Sequence, residues 1–156
     1  MRWSEVGISE VVMPRSRGLS GKPLEASTDV PDAVRDAITD MVALLDGERR
    51  DLRSVALDER HIDAFRRRVY LATREIEPGA IASYGELARA IGEPRATREV
   101  GVALAQNPFP IIVPCHRVLA ANGALHGFSA PGGIATKRRM LEIERAPGFT
   151  QEALFA

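Results

Sequence analysis

Residues 83–108 read "SYGELARAIGEPRATREVGVALAQNP", and they carry the clearest local instructions in the chain. Ser83 followed three residues later by Glu86 is a capping box, so a helix is expected to begin at Tyr84. Leu87, Ala88 and Ile91 make its inner face, and Gly92 suits its C-terminal cap. Pro94 lacks the N–H that a first helical turn leaves unpaired, so it can open a second helix. Ala96, Val100, Ala103 and Leu104 then recur with helical period until Asn107-Pro108 stops it. Two short helices joined by a glycine-containing turn have the form of a helix-turn-helix. Many helical hairpins share that form without touching DNA.

Upstream, "HIDAFRRRVYLATREI" (61–76) puts Ile62, Phe65, Val69 and Ala72 on one helical side. Arg66, Arg67 and Arg68 fall together in its middle and read as a solvated face. Pro78-Gly79 breaks the chain before the hairpin. Nearer the N-terminus, residues 5–14 read as a strand through Val6, Ile8, Val11 and Val12, followed by a Gly/Ser/Pro-rich loop from Pro14 to Pro31. Val34, Ile38, Met41, Val42 and Leu45 then fall on one helical face ending before Gly47, and a short strand is expected near Val55 and Leu57. The expected class is therefore α/β (α+β). A small N-terminal α/β lobe (1–60) precedes a mostly helical lobe (61–156) that contains the helix-turn-helix.

Composition narrows the function classes. With 45% hydrophobic and 27% charged residues the chain is globular rather than disordered or fibrous. No apolar run approaches the length of a membrane span, and the N-terminus lacks the apolar stretch of a signal peptide, so a cytoplasmic protein without a membrane partner is expected. The single cysteine excludes an internal disulfide and a multi-thiolate zinc site. His61, His116 and His126 show no metal-ligand spacing, so neither a metal nor a cofactor is expected. Net charge is zero but uneven: residues 83–156 carry 8 Lys+Arg against 6 Asp+Glu, and residues 1–82 carry 13 against 15. That balance suits local phosphate contact better than tight non-specific DNA binding.

Downstream of the hairpin, "PIIVPCHRVL" (110–119) holds the lone Cys115. A free cysteine is usually a small buried hydrophobe. Here His116 and Arg117 follow at once, and a nucleophilic thiolate needs such neighbours. Alternation along a strand would keep His116 off Cys115 itself, so a bridging water would relay the proton and a carboxylate would hold the far side of the ring. Glu142 and Glu144 are the nearest downstream candidates, and spacing does not choose between them. Between them and the cysteine lie two flexible points, Asn122-Gly123 and Pro131-Gly132-Gly133, then a closing helix from Lys137 to Glu144 with Met140, Leu141 and Ile143 inward. The glycines form no phosphate cradle, since neither a P-loop nor GxGxxG is present.

"PCHRV", preceded by "NPFPIIV" and "SYGELA…TREVG", resembles the O6-alkylguanine-DNA alkyltransferases, or methylated-DNA–protein-cysteine methyltransferases. The resemblance covers residues 62–145 without a long gap and extends more weakly upstream through "VGISEVVMP" and "LLDGERRDL". It implies a ribonuclease H-like N-terminal lobe. It also implies single-turnover transfer of an alkyl group, mainly methyl, from O6-alkylguanine in a flipped-out nucleotide to Cys115; O4-alkylthymine is left open as a second substrate. By the same resemblance His116 activates Cys115 through water, Glu144 orients His116, Asn107 braces the recognition helix against the active-site turn, and Tyr84 donates towards N3 of guanine. Arg98 would enter the base stack, with Arg95, Ala96 and Thr97 beside it where the recognition helix docks in the minor groove. Ser129 would bond O6, with Phe128, Val113 and Pro110 completing the pocket. The partner is double-stranded DNA and the protein is expected to act as a monomer. Phe128 stands where many members carry Tyr, His126 where a smaller residue is common, and the loop around them is two residues longer than its shortest form.

Physical chemistry agrees with those roles. A base inside a duplex is out of reach and must be rotated out at a cost of a few kcal/mol, part of which an inserted arginine offsets. A thioether offers water no carbonyl, so the adduct persists. Three other classes make different demands. A non-catalytic damage sensor of the same fold would replace the cysteine, a helix-turn-helix redox regulator would oxidise it reversibly, and a Cys–His hydrolase would turn over repeatedly.

Overall fold

A computed structural model describes residues 1–13 and 29–150. All but the last few residues of the expected Gly/Ser/Pro loop lie outside them. The N-terminal strand is shorter than its apolar content suggests. Of residues 5–14 only β2 (Ile8–Glu10) is strand, and it pairs antiparallel with β1 (Arg2–Trp3), a strand outside the expected bounds, with an irregularity between Arg2 and Trp3. Gly7 lets β2 lie against the segment at Leu57: a Cβ there would sit 2.5 Å from the Ala56 carbonyl oxygen, in a chain bend at φ 156°. The short strand expected near Val55 and Leu57 is a single bridge from Leu57 to Ile8.

Helix α1 (Asp32–Leu45) buries Val34, Ala37, Met41, Ala43 and Leu44. The expected face is thus rotated by about one position, because Ile38 and Val42 are exposed. Helix α2 (Ala64–Arg74) is capped by Asp63, whose side chain accepts from the Arg66 N–H, and it buries Val69, Tyr70 and Thr73. Its basic triplet is pinned by neighbours. Arg66 pairs with Asp63, Arg67 with Glu59, and Arg68 with Glu93, and Arg67 and Arg68 are exposed, so the triplet is the solvated face expected, with its charges paired.

Strand β3 (Ala82–Ser83) runs directly into α3 (Tyr84–Ala90), and Ser83 and Glu86 form the reciprocal capping box. The helix ends in a Schellman motif on Gly92 (φ 77°), with Glu93 N–H bonded to Ala88 and Gly92 N–H to Arg89. Helix α4 (Thr97–Ala105) starts three residues later than Pro94, contrary to expectation, because a turn closed by Ala96 N–H to Glu93 occupies the intervening residues. Helices α3 and α4 pack on each other and on α2, and the buried Tyr70 hydroxyl donates to Ala103 at 2.9 Å to tie α2 to α4. Strand β4 (Val118–Leu119) pairs parallel with β3. Helix α5 (Gly133–Ile143) begins four residues before Lys137 and buries Lys137, Met140 and Leu141, with Ile143 half-buried.

One apolar cluster joins Ile8 of β2 and Val34 and Met41 of α1 to Val69, Leu87, Val100, Phe109 and Met140 further along the chain. The mixed class, with a small α/β part and a helical part, is the one expected.

Candidate active site

Cys115 is not in a strand. Cys115–Arg117 form one turn of 3-10 helix immediately before β4, so the pairing of β4 with β3 fixes the cysteine beside the start of α3. The approach to that turn is strained. Ile111 adopts φ 77°, costly for a β-branched residue, in a segment that Asn107 clamps from both ends. The Asn107 amide donates to the Val113 carbonyl at 2.9 Å and accepts from the Phe109 N–H at 2.8 Å.

Behind the thiol lies a buried polar chain. His116 is fully buried, and its Nε2 is 2.8 Å from Glu144 Oε1. Arg117 grips the same carboxylate with two parallel bonds, Nε to Oε2 at 2.9 Å and a terminal nitrogen to Oε1 at 2.8 Å, and also donates to the Ile76 carbonyl. The Gly79 N–H donates to Oε2 at 3.3 Å, and a Cβ at Gly79 would stand 2.9 Å from the Glu144 carbonyl oxygen. Glu144 is the C-cap of α5. A Schellman motif carried by Arg145 at φ 55°, with the Ala146 N–H bonded to Leu141, sets its position. Glu142, the other candidate carboxylate, pairs with Arg139 instead.

These contacts define protonation states. Burial alone would raise the Glu144 carboxyl, but hydrogen bonds from His116 and Arg117 outweigh it and hold the group at about 2, so it is ionised. Burial lowers His116 despite Glu144, keeping the ring neutral at pH 7. An ionised Glu144 takes the Nε2 proton as a hydrogen bond, which leaves Nδ1 as the basic nitrogen. Nδ1 is buried and has no protein partner among the described residues. Burial pushes the Cys115 thiol up, while the Asn107 amide, the Lys137 ammonium and the backbone N–H groups of Cys115 and His116 pull it back.

In front of the thiol is a cleft of about 580 Å³ lined by Tyr84, Thr97, Gly101, Leu104, Ala105, Cys115, His126, Gly127, Phe128 and Ser129. Phe128, Ser129 and Cys115 also line a second cavity of about 300 Å³, together with Asn107, Pro110 and the N-terminal residues Glu10 to Met13. Val113 is the pocket candidate that the structure leaves out. Its side chain is fully buried in the core, and its carbonyl is what Asn107 holds. Arg98 lies outside the cleft, exposed on the first turn of α4, and lines a groove with Phe65, Arg66 and Val102. Among the described residues it has no hydrogen bond or ion pair, and it is free to reach outward. Arg95 is exposed in the turn and Ala96 is the N-cap of α4. Three positions escape sequence reading. Arg117 is visible there only as a basic neighbour, Ile111 gives no signal, and Lys137 reads as an ordinary helix residue. Among the described residues no group of His, Cys, Asp and Glu could hold a metal ion, and no helix is long and apolar enough to cross a membrane.

Fold and site together define a protein with a helical hairpin beside a cleft, at whose wall sits a thiol backed by a buried His–Glu pair. Residues 64–146 match the family model described as 6-O-methylguanine DNA methyltransferase, DNA binding domain. The methylated-DNA–protein-cysteine methyltransferase of Mycobacterium tuberculosis is 43% identical over 128 residues, covering 82% of this chain and 75% of the relative. The crystal structure of a variant of the M. tuberculosis O6-methylguanine methyltransferase superposes with TM-score 0.66 at 37% identity, covering 98% of this chain and 94% of that one. The M. tuberculosis OGT in complex with DNA superposes with TM-score 0.63 at 46% identity, covering 71% and 66%. The chain belongs to the 6-O-methylguanine DNA methyltransferase family.

Proposed function

We propose that the protein repairs DNA by direct reversal, taking the alkyl group of O6-alkylguanine in duplex DNA onto Cys115 in one irreversible turnover. The observation that carries this reading is the cleft, with Cys115 on its wall and the His116–Glu144 pair buried behind it. The DNA-bound relative supports DNA as the partner.

In the proposed reaction the damaged nucleotide rotates out of the duplex into the cleft, and Arg98 fills the space left in the stack. Arg95, Ala96 and Thr97, at the start of α4, form the minor-groove contact. The Cys115 proton passes through a water to Nδ1 of His116, whose other nitrogen Glu144 holds. The sulfur then attacks the alkyl carbon, a C–S bond forms, and the C–O6 bond breaks with its electron pair moving into the purine. Tyr84 donates towards N3 to neutralise that charge, and Ser129 bonds O6. Phe128 and Pro110 flank the alkyl group, Val113 supports them from the core, and Asn107 fixes the turn that presents the thiol. Residues 1–60 serve as a structural lobe and 61–156 as the working one. The protein acts as a monomer in the cytoplasm without a cofactor.

The test is direct. The intact protein, incubated with a duplex containing O6-methylguanine, should gain the mass of one methyl group on Cys115 while the duplex is repaired. Cys115→Ser should gain nothing. An unmodified protein beside an unrepaired duplex refutes the reading.

A further inference from the structure

Lys137 is a buried cation that the proposed reaction does not use. It is 1% exposed, and among the described residues no carboxylate pairs with it. An ammonium so placed is costly and needs a compensating role. Its Nζ donates to the Val118 carbonyl at 2.6 Å and reaches the His126 carbonyl at 3.4 Å. It also stands 5.8 Å from the centre of the Tyr84 ring. Val118 begins the strand that follows the cysteine turn, and His126 opens the loop that lines the cleft. One ammonium is therefore bonded to the strand that follows the cysteine turn and to the loop that lines the cleft, and it faces the Tyr84 ring on the cleft wall.

We propose that Lys137 is a positioning residue for the transfer: its ammonium ties the strand after Cys115 to the 126–129 loop and supplies the positive charge against which the thiolate forms. This rests on Cys115 being the nucleophile. The ionisable groups around the ammonium are Cys115 and His116 from the cysteine turn and Tyr84 from α3. On α5 itself, the Glu144 carboxylate is already occupied by His116 and Arg117. Burial lowers Lys137 to about 8, and Cys115 is the neighbour that raises it; reciprocally, Lys137 lowers Cys115 and His116. The lysine is thus charged at pH 7 and exchanges no proton in the reaction. The thiol proton still leaves through His116.

Lys137→Gln keeps two N–H donors and removes the charge. Alkylation of Cys115 by iodoacetamide, followed from pH 5 to 10, reads thiolate formation without DNA or base flipping. In the variant the rate at pH 7, where Lys137 carries its charge, should fall about tenfold, with Lys137→Arg restoring much of it. A Lys137→Gln profile that superposes on the unmutated one overturns the proposal, because a merely structural residue would leave the profile in place. If Lys137→Gln does not fold, the same coupling is measured in the unmutated chain by NMR titration of Lys137 before and after S-methylation of Cys115 with iodomethane. Lys137 should titrate at lower pH once the thiolate is gone, and an unmoved titration overturns the proposal. Failure of the unmutated chain to take methyl from damaged duplex would instead sink the alkyl-transfer reading, with the iodoacetamide profile unaffected.

Discussion

The surroundings of His116 suit the ring to the base role proposed for it. Glu144 at 2.8 Å fixes the proton on Nε2, burial keeps the ring neutral, and Nδ1 is left as the acceptor. General-base help of this kind is worth about 10²–10⁴ in rate. His116→Gln should therefore slow single-turnover methyl transfer from damaged duplex by about that factor at pH 7, as measured by quenched-flow or gel assay, while the protein still binds DNA. An unchanged rate would mean the thiol proton leaves directly to solvent. At this scale the sequence is unevenly legible. The adjacency of Cys115, His116 and Arg117 is plain, whereas the choice of Glu144 over Glu142 needs the family resemblance, since both fit the spacing. Only the fold shows why Glu144 reaches: a non-glycine residue, Arg145, takes the left-handed conformation that ends α5. Lys137 is illegible for a different reason. Lysine is buried so rarely that helical position alone argues for solvent, and its burial follows from long-range packing against Val118 and Tyr84.

Among the elements, local chemistry specifies α3 well and the others in part. The Ser83–Glu86 box and Gly92 are signals contained within a dozen residues, and both act as read. Pro94 misleads because a proline suited to a first helical turn also suits the turn before it, and the Glu93–Ala96 turn wins. In α1, weighing bulk over alanine puts Ile38 and Val42 inside, when the close-packed stripe is Val34, Ala37, Met41 and Leu44. Helix α4 presents Arg98 without a partner among the described residues, beside a groove rather than inside the cleft. In the proposed reaction a side chain so placed contributes to extruding a base and nothing to the chemistry at Cys115. Arg98→Ala should thus reduce repair of O6-methylguanine in duplex DNA by about tenfold or more while leaving reaction with the free base O6-methylguanine within about twofold. Equal losses on both substrates would remove the arginine from base extrusion.

Over the whole molecule, the buried pair behind the thiol also joins distant parts of the chain. Glu144 at the end of α5 holds His116 and Arg117 from the cysteine turn and the Gly79 N–H ahead of β3, and Arg117 continues to Ile76 beyond α2. Stability should therefore carry the signature of this carboxylate. Its folded value of about 2 lies below the ordinary carboxylate range, so its contribution is full above about pH 4.5 and is lost as pH falls through 2. His116, lowered by burial, acts in the same direction from a higher start. Below about pH 6.5 the unfolded chain takes up a proton that the folded chain refuses. Urea unfolding at a series of pH values should show stability declining on the acid side from near pH 6.5, then more steeply below 4.5. Glu144→Gln leaves Arg117 buried without its counter-charge, so at pH 7 it should be less stable by about 3 kcal/mol. Because the unmutated carboxyl itself becomes neutral in acid, that gap should narrow as pH falls from 4.5 towards 2. Two stability curves that stay parallel over this range would show that the carboxylate's charge does not hold these segments together.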